Sequence, residues 1–179
     1  NYEQSAVRAL KNKAHLSRIP PLHQLQSFGN ATRDPRNWTG TLVFLAYVNY
    51  DEIELIGDDV KFVPVSKLDE ISDWAFDHKE IINYANTEIV KQAQYDTAVI
   101  SLLPEEFTQP ELQEMYEIIL REKLDKSSFR KQVRESGLLE EVVGKKKKAA
   151  MGAPSQLYTL SHDFDGFFFP RSIAKKNKK

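Results

Sequence analysis

The 179-residue chain contains no cysteine. Disulfides and thiolate metal sites are therefore excluded, and a reducing, cytoplasmic setting is expected. It has no apolar run near the roughly 20 residues that a membrane span needs, and no secretory leader is recognisable. It opens on Asn1 rather than methionine, as a processed chain or a fragment would. Glycine is scarce, with seven in the whole chain, so each one falling between periodic segments carries information about turns. Net charge is also nearly absent, at −1. That balance conceals an asymmetry. Residues Arg121 to Lys179 hold 15 Lys and Arg against 7 Asp and Glu, so the preceding part is acidic. An acidic first part joined to a basic last part points to two modules with different partners.

Hydrophobic residues make up 41% and aromatics 11%, enough for one ordinary domain or two small ones. "YEQSAVRALKNKAHL" spaces Ala6, Val7, Leu10 and Ala14 as a helix does, and "SRIPP" stops it. "LHQLQSF" alternates as a strand. "GNATRDPRNWTG" has loop composition, and "TLVFLAYV" is a buried strand by its continuous apolar run. "VKFVPVS" is expected to be an edge or bulged strand because of Pro64. "DHKEIINYANTEIVKQ" predicts a helix from Asp77, a plausible cap, to about Gln94.

The last third is more sharply ordered. "FTQPELQEMYEIIL" begins with a capping box, Thr108 with Glu111, and has Pro110 in the first turn. Its apolar stripe is Leu112, Met115, Tyr116 and Ile119. "LDKSSFRKQVRESG" predicts a second helix capped by Asp125, with Phe129 and Val133 inward and Gly137 as its stop. "LLEEVV" and "SQLYTL" follow as strands that flank "GKKKKAAMGAP". Helix, helix, hairpin is the order of a winged helix. The second helix is then expected in the major groove of double-stranded DNA, with Lys126, Ser127, Ser128, Arg130, Lys131 and Arg134 on its outward face. Lys145, Lys146, Lys147 and Lys148 are expected at the hairpin tip, against phosphates. The plain alternative is a solvated helix and a loose lysine loop.

Four segments, "LQSFGNATRDPR", "FDHKEII", "SLLPEEFTQPELQEMYEIIL" and "GAPSQLYTL", together resemble the Nudix-related transcriptional regulators. The resemblance covers about Ser5 to Leu160. It implies an α/β module, the C-terminal part of a Nudix-like α/β/α sandwich over residues 1–94, whose first strands and a further glutamate would precede Asn1. An α+β winged helix-turn-helix over 95–160 and a basic tail over 161–179 follow. It also implies a homodimeric repressor that releases or takes up operator DNA in response to ADP-ribose or a related nucleotide, controlling genes of NAD or sugar metabolism.

Hydrolases related to this family carry a helix of the form R-E-U-x-E-E-x-G-U, with U bulky and apolar, whose glutamates hold Mg²⁺. The aligned segment here is "RALKNKAHL". Arg8, Leu10 and Leu16 match, but Ala9, Asn12 and Lys13 occupy the glutamate positions and His15 replaces the glycine. Alanine binds no metal and lysine repels one, so the expected module binds a ligand without metal, cofactor or catalysis. An ADP-ribose pyrophosphatase with an accessory winged helix is the alternative, and a protein-interaction module is a third reading. In "RDPR", Arg33 and Arg36 are the candidate ligand contacts, because guanidinium groups match phosphate bidentately; the alternative is a structural loop in which Asp34 pairs an arginine. Trp38 reads as a core residue, with stacking on an adenine as the other possibility. Asp77 and His78 are adjacent but have no serine or cysteine nearby, and His15, His23 and His162 lack metal-ligand spacing with them. Relatives commonly have Gly-Arg-Pro where this chain has Gly152, Ala153 and Pro154, which removes one expected DNA contact.

Overall fold

Asn1–Glu88 and Ile89–Lys179 form two separate packing units. A computed structural model of the chain describes residues 1–13, 16, 18–53, 61–148, 153–161 and 173. The division falls inside a helix, whereas the sequence reading puts the junction after residue 94. Among the described residues no helix is long and apolar enough to cross a membrane.

The first unit begins with helix α1 (Tyr2–Lys13). Its expected apolar positions Ala6, Val7 and Leu10 are half-buried. Strands β1 (Leu22–Asn30) and β2 (Thr39–Ala46) pair antiparallel from Leu22 opposite Ala46 to Asn30 opposite Thr39, with an irregularity between Gln24 and Ser27. Phe28 is buried on one face of this hairpin and meets Tyr84 edge-on, with ring centroids 5.7 Å apart. Tyr84 belongs to helix α2 (His78–Ala93).

The strand expected at "VKFVPVS" does not form among the described residues of that stretch, which begin at Lys61. Residues 61–64 join no ladder, and Val65–Glu70 is a 3-10 turn entered from Pro64. The reason is local: proline supplies no ladder donor, and four of the six turn residues are polar. Phe62 and Val65 stay exposed, so no apolar burial draws this segment into a sheet.

The second unit is built around Val99, Ile100, Phe107, Leu112, Tyr116, Phe129, Val133 and Leu138, all buried. Helix α3 (Gln109–Leu120) opens with the expected capping box. Thr108 accepts from the Glu111 backbone N–H, and Glu111 accepts from that of Thr108. Leu112, Met115 and Tyr116 face inward, and the Tyr116 hydroxyl reaches the Asp96 carbonyl at 3.2 Å. The helix ends at Arg121, which has left-handed φ of 56°. Helix α4 (Lys126–Glu135) is capped by Asp125, as expected, and buries Phe129 and Val133. Gly137 stops it with φ of 66°.

Strands β4 (Leu139–Lys147) and β5 (Ser155–Leu160) form the expected hairpin. A third strand, β3 (Phe107–Thr108), was not foreseen; it pairs with β5, and the sheet order is β3-β5-β4. Two residues are too few for a periodic signal. Only the partner strand reveals that the cap of α3 also closes a sheet. A 3-10 turn (Ala98–Leu102), short strand, two helices and hairpin make the winged-helix arrangement.

Candidate functional site

The six polar residues expected on α4 share one exposed side. Lys126, Ser127, Ser128, Arg130, Lys131 and Arg134 are all solvent-facing, while Phe129 and Val133 anchor the other side. Asp125 holds the first turn through the Ser127 hydroxyl (2.6 Å) and the Ser128 backbone N–H (2.8 Å). Those bonds, the hydroxyl first, hold its carboxyl down at about 2. Lys131 lies 3.8 Å from Glu135 one turn on, a surface pair of small energetic weight. Lys126 and Arg134 carry no ion pair among the described residues, so their charge faces solvent. A helix that buries two apolar residues and projects long cations can enter a groove without disturbing its own core.

The lysine run is not wholly at the hairpin tip, which corrects the expectation for three of the four. Lys145, Lys146 and Lys147 lie within β4, and Lys148 follows it. The ladder shifts between Glu141 and Lys146, where Gly144 has φ of 75°, a conformation that favours glycine. The Gln156 amide nitrogen fills the irregularity, donating to the carbonyls of Val142 (2.8 Å) and Lys145 (3.3 Å). Side chains then alternate. Lys145 Nζ lies 2.6 Å from Glu106 Oε1, and Lys147 Nζ lies 2.5 Å from Glu111 Oε1. Partial burial pushes the Glu111 carboxyl up, but Lys147 and Thr108 together hold it below the usual range. Lys146 and Lys148 are exposed and carry no ion pair among the described residues. Glu106 and Gln156 were missed because their partners are distant in sequence. Ala153 and Pro154 are exposed, and Gly152 lies outside the described residues.

In the first unit, "RDPR" follows β1 and borders an open cleft of about 870 Å³, lined by Phe28, Asn30, Arg33, Phe76, Asp77 and Tyr84 among others. Arg33 is its fixed wall, with its side chain only 5% exposed. It donates to the Phe28 carbonyl (3.2 Å), the Thr41 hydroxyl (2.6 Å) and Asp77 Oδ1 (2.8 Å). Its Nε is buried without an acceptor among the described residues. Asp77, expected as a helix cap, directs its carboxylate to Arg33, which holds it below its ordinary range. Arg36 is 77% exposed and grips Asp34 with both Nε and Nη2, at 2.9 and 2.8 Å. That pairing brings the Asp34 carboxyl down to about 2. The Arg36 guanidinium also lies 5.5 Å from the Phe76 ring centroid. Both candidate arginines are thus paired with carboxylates, one buried and one at the surface.

Trp38 is not a core residue. It is 66% exposed and rests over Gly29 and Gly40, where a Cβ would come within 3.7 and 3.5 Å of its ring. Gly29 presents the face opposite to Phe28 and Asn30, so Trp38 is not among the residues lining the cleft. His78 meets Phe76 and His23 meets Tyr47; His15 and His162 lie outside the described residues. Arg8, Ala9, Asn12 and Lys13 are all exposed on α1. Among the described residues no three His, Asp or Glu side chains gather to hold a metal.

Comparison with known proteins gives this geometry a family. Residues 99–160 match the model for the NrtR DNA-binding winged helix domain. The chain is 37% identical over 177 residues to the ADPR responsive transcriptional repressor NtrR of Acinetobacter baylyi, covering 97% of this chain and 69% of that protein. The crystal structure of Shewanella oneidensis NrtR complexed with a 27mer DNA superposes with a TM-score of 0.87 at 32% identity, covering 96% of this chain and 78% of that one. A MutT/nudix family protein from Enterococcus faecalis matches with a TM-score of 0.66 at 25% identity, over 90% and 70% of the two chains. With a Nudix-like part followed by a winged helix, and this likeness along nearly its whole length, the chain belongs to the Nudix-related transcriptional regulators of the NrtR family.

Proposed function

We propose that this chain is a transcriptional repressor. It binds operator DNA through α4 and the β4–β5 wing, and an ADP-ribose-like nucleotide in its Nudix-like part changes that binding. The observation that carries the reading is the exposed cationic side of α4, followed in the same winged helix by a basic strand on which Lys146 is exposed. The Acinetobacter relative is named as ADPR-responsive, and the Shewanella relative has been crystallised with DNA. On this reading Arg130 and Arg134 meet base edges, Lys126, Lys131 and the serines meet the backbone, and two chains pair to span two half-sites. Arg36, exposed beside the cleft, meets the nucleotide phosphate by exchanging partners with Asp34, while Arg33 shapes the cleft from within. The Nudix-like part binds without hydrolysing, because Ala9, Asn12 and Lys13 stand where hydrolases of this fold have glutamates. A cytoplasmic location follows from this role.

The test is a gel shift on the promoter region beside the protein's own gene, with and without ADP-ribose. A shifted band whose midpoint moves with ADP-ribose is expected. No shift at low salt overturns the DNA reading, and a shift indifferent to ADP-ribose overturns the choice of effector.

A further inference from the structure

The lysine run has two faces with two different jobs. Lys145 and Lys147 point from β4 towards the start of α3, where each meets a carboxylate: Glu106 just before β3, and Glu111 in the first turn of the helix. Both contacts are ammonium-to-carboxylate hydrogen bonds, the charge-assisted kind. Lys146 has the opposite orientation because side chains alternate along a strand. Lys148, one step past the paired region, is exposed as well. Gly144 and Gln156 determine which lysine falls on which face. The irregularity between Glu141 and Lys146 advances β4 against β5, and Gln156 ties off the carbonyls that this leaves outside the ladder. Without it, a one-residue slip would exchange the faces.

We infer that Lys145 and Lys147 are positioning residues that clamp the wing to α3, and that Lys146 and Lys148 are the wing's phosphate contacts. This rests on the DNA-binding reading above. The clamp also has an electrostatic effect. Glu106 and Glu111 stand beside the basic surface, and unpaired they would repel a phosphate backbone. Covering each with a lysine removes that repulsion and holds the strand that carries the other two cations. Of four lysines in the run, two then count in the salt dependence. The competing arrangement is a placeholder, in which the glutamates occupy all the inward lysines only until DNA displaces them.

Salt-dependent fluorescence anisotropy separates the two, using the full chain with a promoter duplex and a random duplex of equal length. The slope of log K against log salt changes by about 0.9 for each phosphate that the protein ceases to neutralise. Lys146→Ala with Lys148→Ala is expected to flatten the slope by about 1.8 on both duplexes. Glu106→Gln with Glu111→Gln, which keeps a capping residue at the second position, is expected to leave the slope unchanged and to weaken binding. Tighter rather than weaker binding in that variant overturns the clamp in favour of the placeholder, because DNA then has no glutamate to displace. Lys145→Glu alone is expected to weaken binding several-fold and lower the melting temperature. Adding Glu106→Lys is expected to restore both, although residue 145 is then an anion. Failure of the swap to restore DNA binding overturns the positioning role of Lys145. Wild-type slope retained in the Lys146, Lys148 variant overturns the contact role of those two. A wild-type chain that binds neither duplex at low salt defeats the DNA reading itself, which is a distinct result.

Discussion

Arg33 Nη2 lies 2.8 Å from Asp77 Oδ1, joining the loop after β1 to the residue just before α2 across 44 positions of sequence. The same guanidinium binds the Phe28 carbonyl and the Thr41 hydroxyl, so one side chain ties both hairpin strands to a helix start. Arg36, three residues on, is exposed, and among the described carboxylates it binds only its near neighbour Asp34. The two arginines of "RDPR" therefore have different consequences when removed. Arg33→Lys is expected to lower the melting temperature, because a single ammonium cannot reproduce a fork that meets three acceptors. Arg36→Ala is expected to leave melting nearly unchanged and to weaken ADP-ribose binding. Calorimetry on both variants checks this; equal affinity in wild type and Arg36→Ala moves the phosphate contact elsewhere.

Acid should destabilise the protein in a defined window. Asp34 and Asp125 are held down at about 2, by Arg36 and by the Ser127 hydroxyl respectively. Asp77 is lowered by Arg33 and Glu117 by Lys123. A carboxyl whose folded value lies below its unfolded value stabilises fully above the unfolded value, roughly 4, and loses that contribution as pH falls through the folded one. Melting temperature is expected to hold from pH 7 to about 5 and to fall between about 4 and about 2. Asp125→Asn keeps a capping oxygen without the charge, so its profile should be flatter. An identical acid limb in that variant would remove Asp125 from the account.

The two ends of α3 respond in opposite directions. Thr108→Ala removes the cap bond to Glu111 and should cost about 1 kcal/mol. Arg121 occupies the left-handed region at the other end, which glycine enters without the Cβ penalty. Arg121→Gly should therefore stabilise by about 1 kcal/mol. Urea denaturation at neutral pH measures both.

Arg130 and Arg134 should separate from the lysines in their dependence on DNA sequence. Substituting an arginine that reads a base edge should cost roughly 1–3 kcal/mol on the operator and little on random DNA. Anisotropy on the two duplexes measures the difference. Equal losses on both would make that arginine a backbone contact.

Catalysis should be absent. Incubation with ADP-ribose and Mg²⁺ is expected to release no AMP above a metal-free control, since Ala9, Asn12 and Lys13 offer no carboxylate. Turnover well above that control would restore the hydrolase reading.

Much of the winged helix was legible in the amino-acid sequence because its signals are short-range. The Thr108–Glu111 box, the Asp125 cap, the Phe129 and Val133 anchors and the stop at Gly137 each depend on residues within about one helical turn. The sequence by itself therefore determined the order of α3, α4 and the β4–β5 hairpin, and the exposed cationic side of α4. Tertiary structure decided the rest. Trp38 looks like a core residue by composition, but two bare glycines on the hairpin's outer face give it a seat in solvent. "VKFVPVS" looks like a strand, but among the described residues 61–64 join no ladder. The lysine run is one block in the sequence. Lys145 and Lys147 find carboxylates 39 and 36 positions away, and among the described residues Lys146 does not. Periodicity and caps are encoded in neighbours. Which face of a strand meets which charge depends on register, and register exists only once the second strand and the helix are in place.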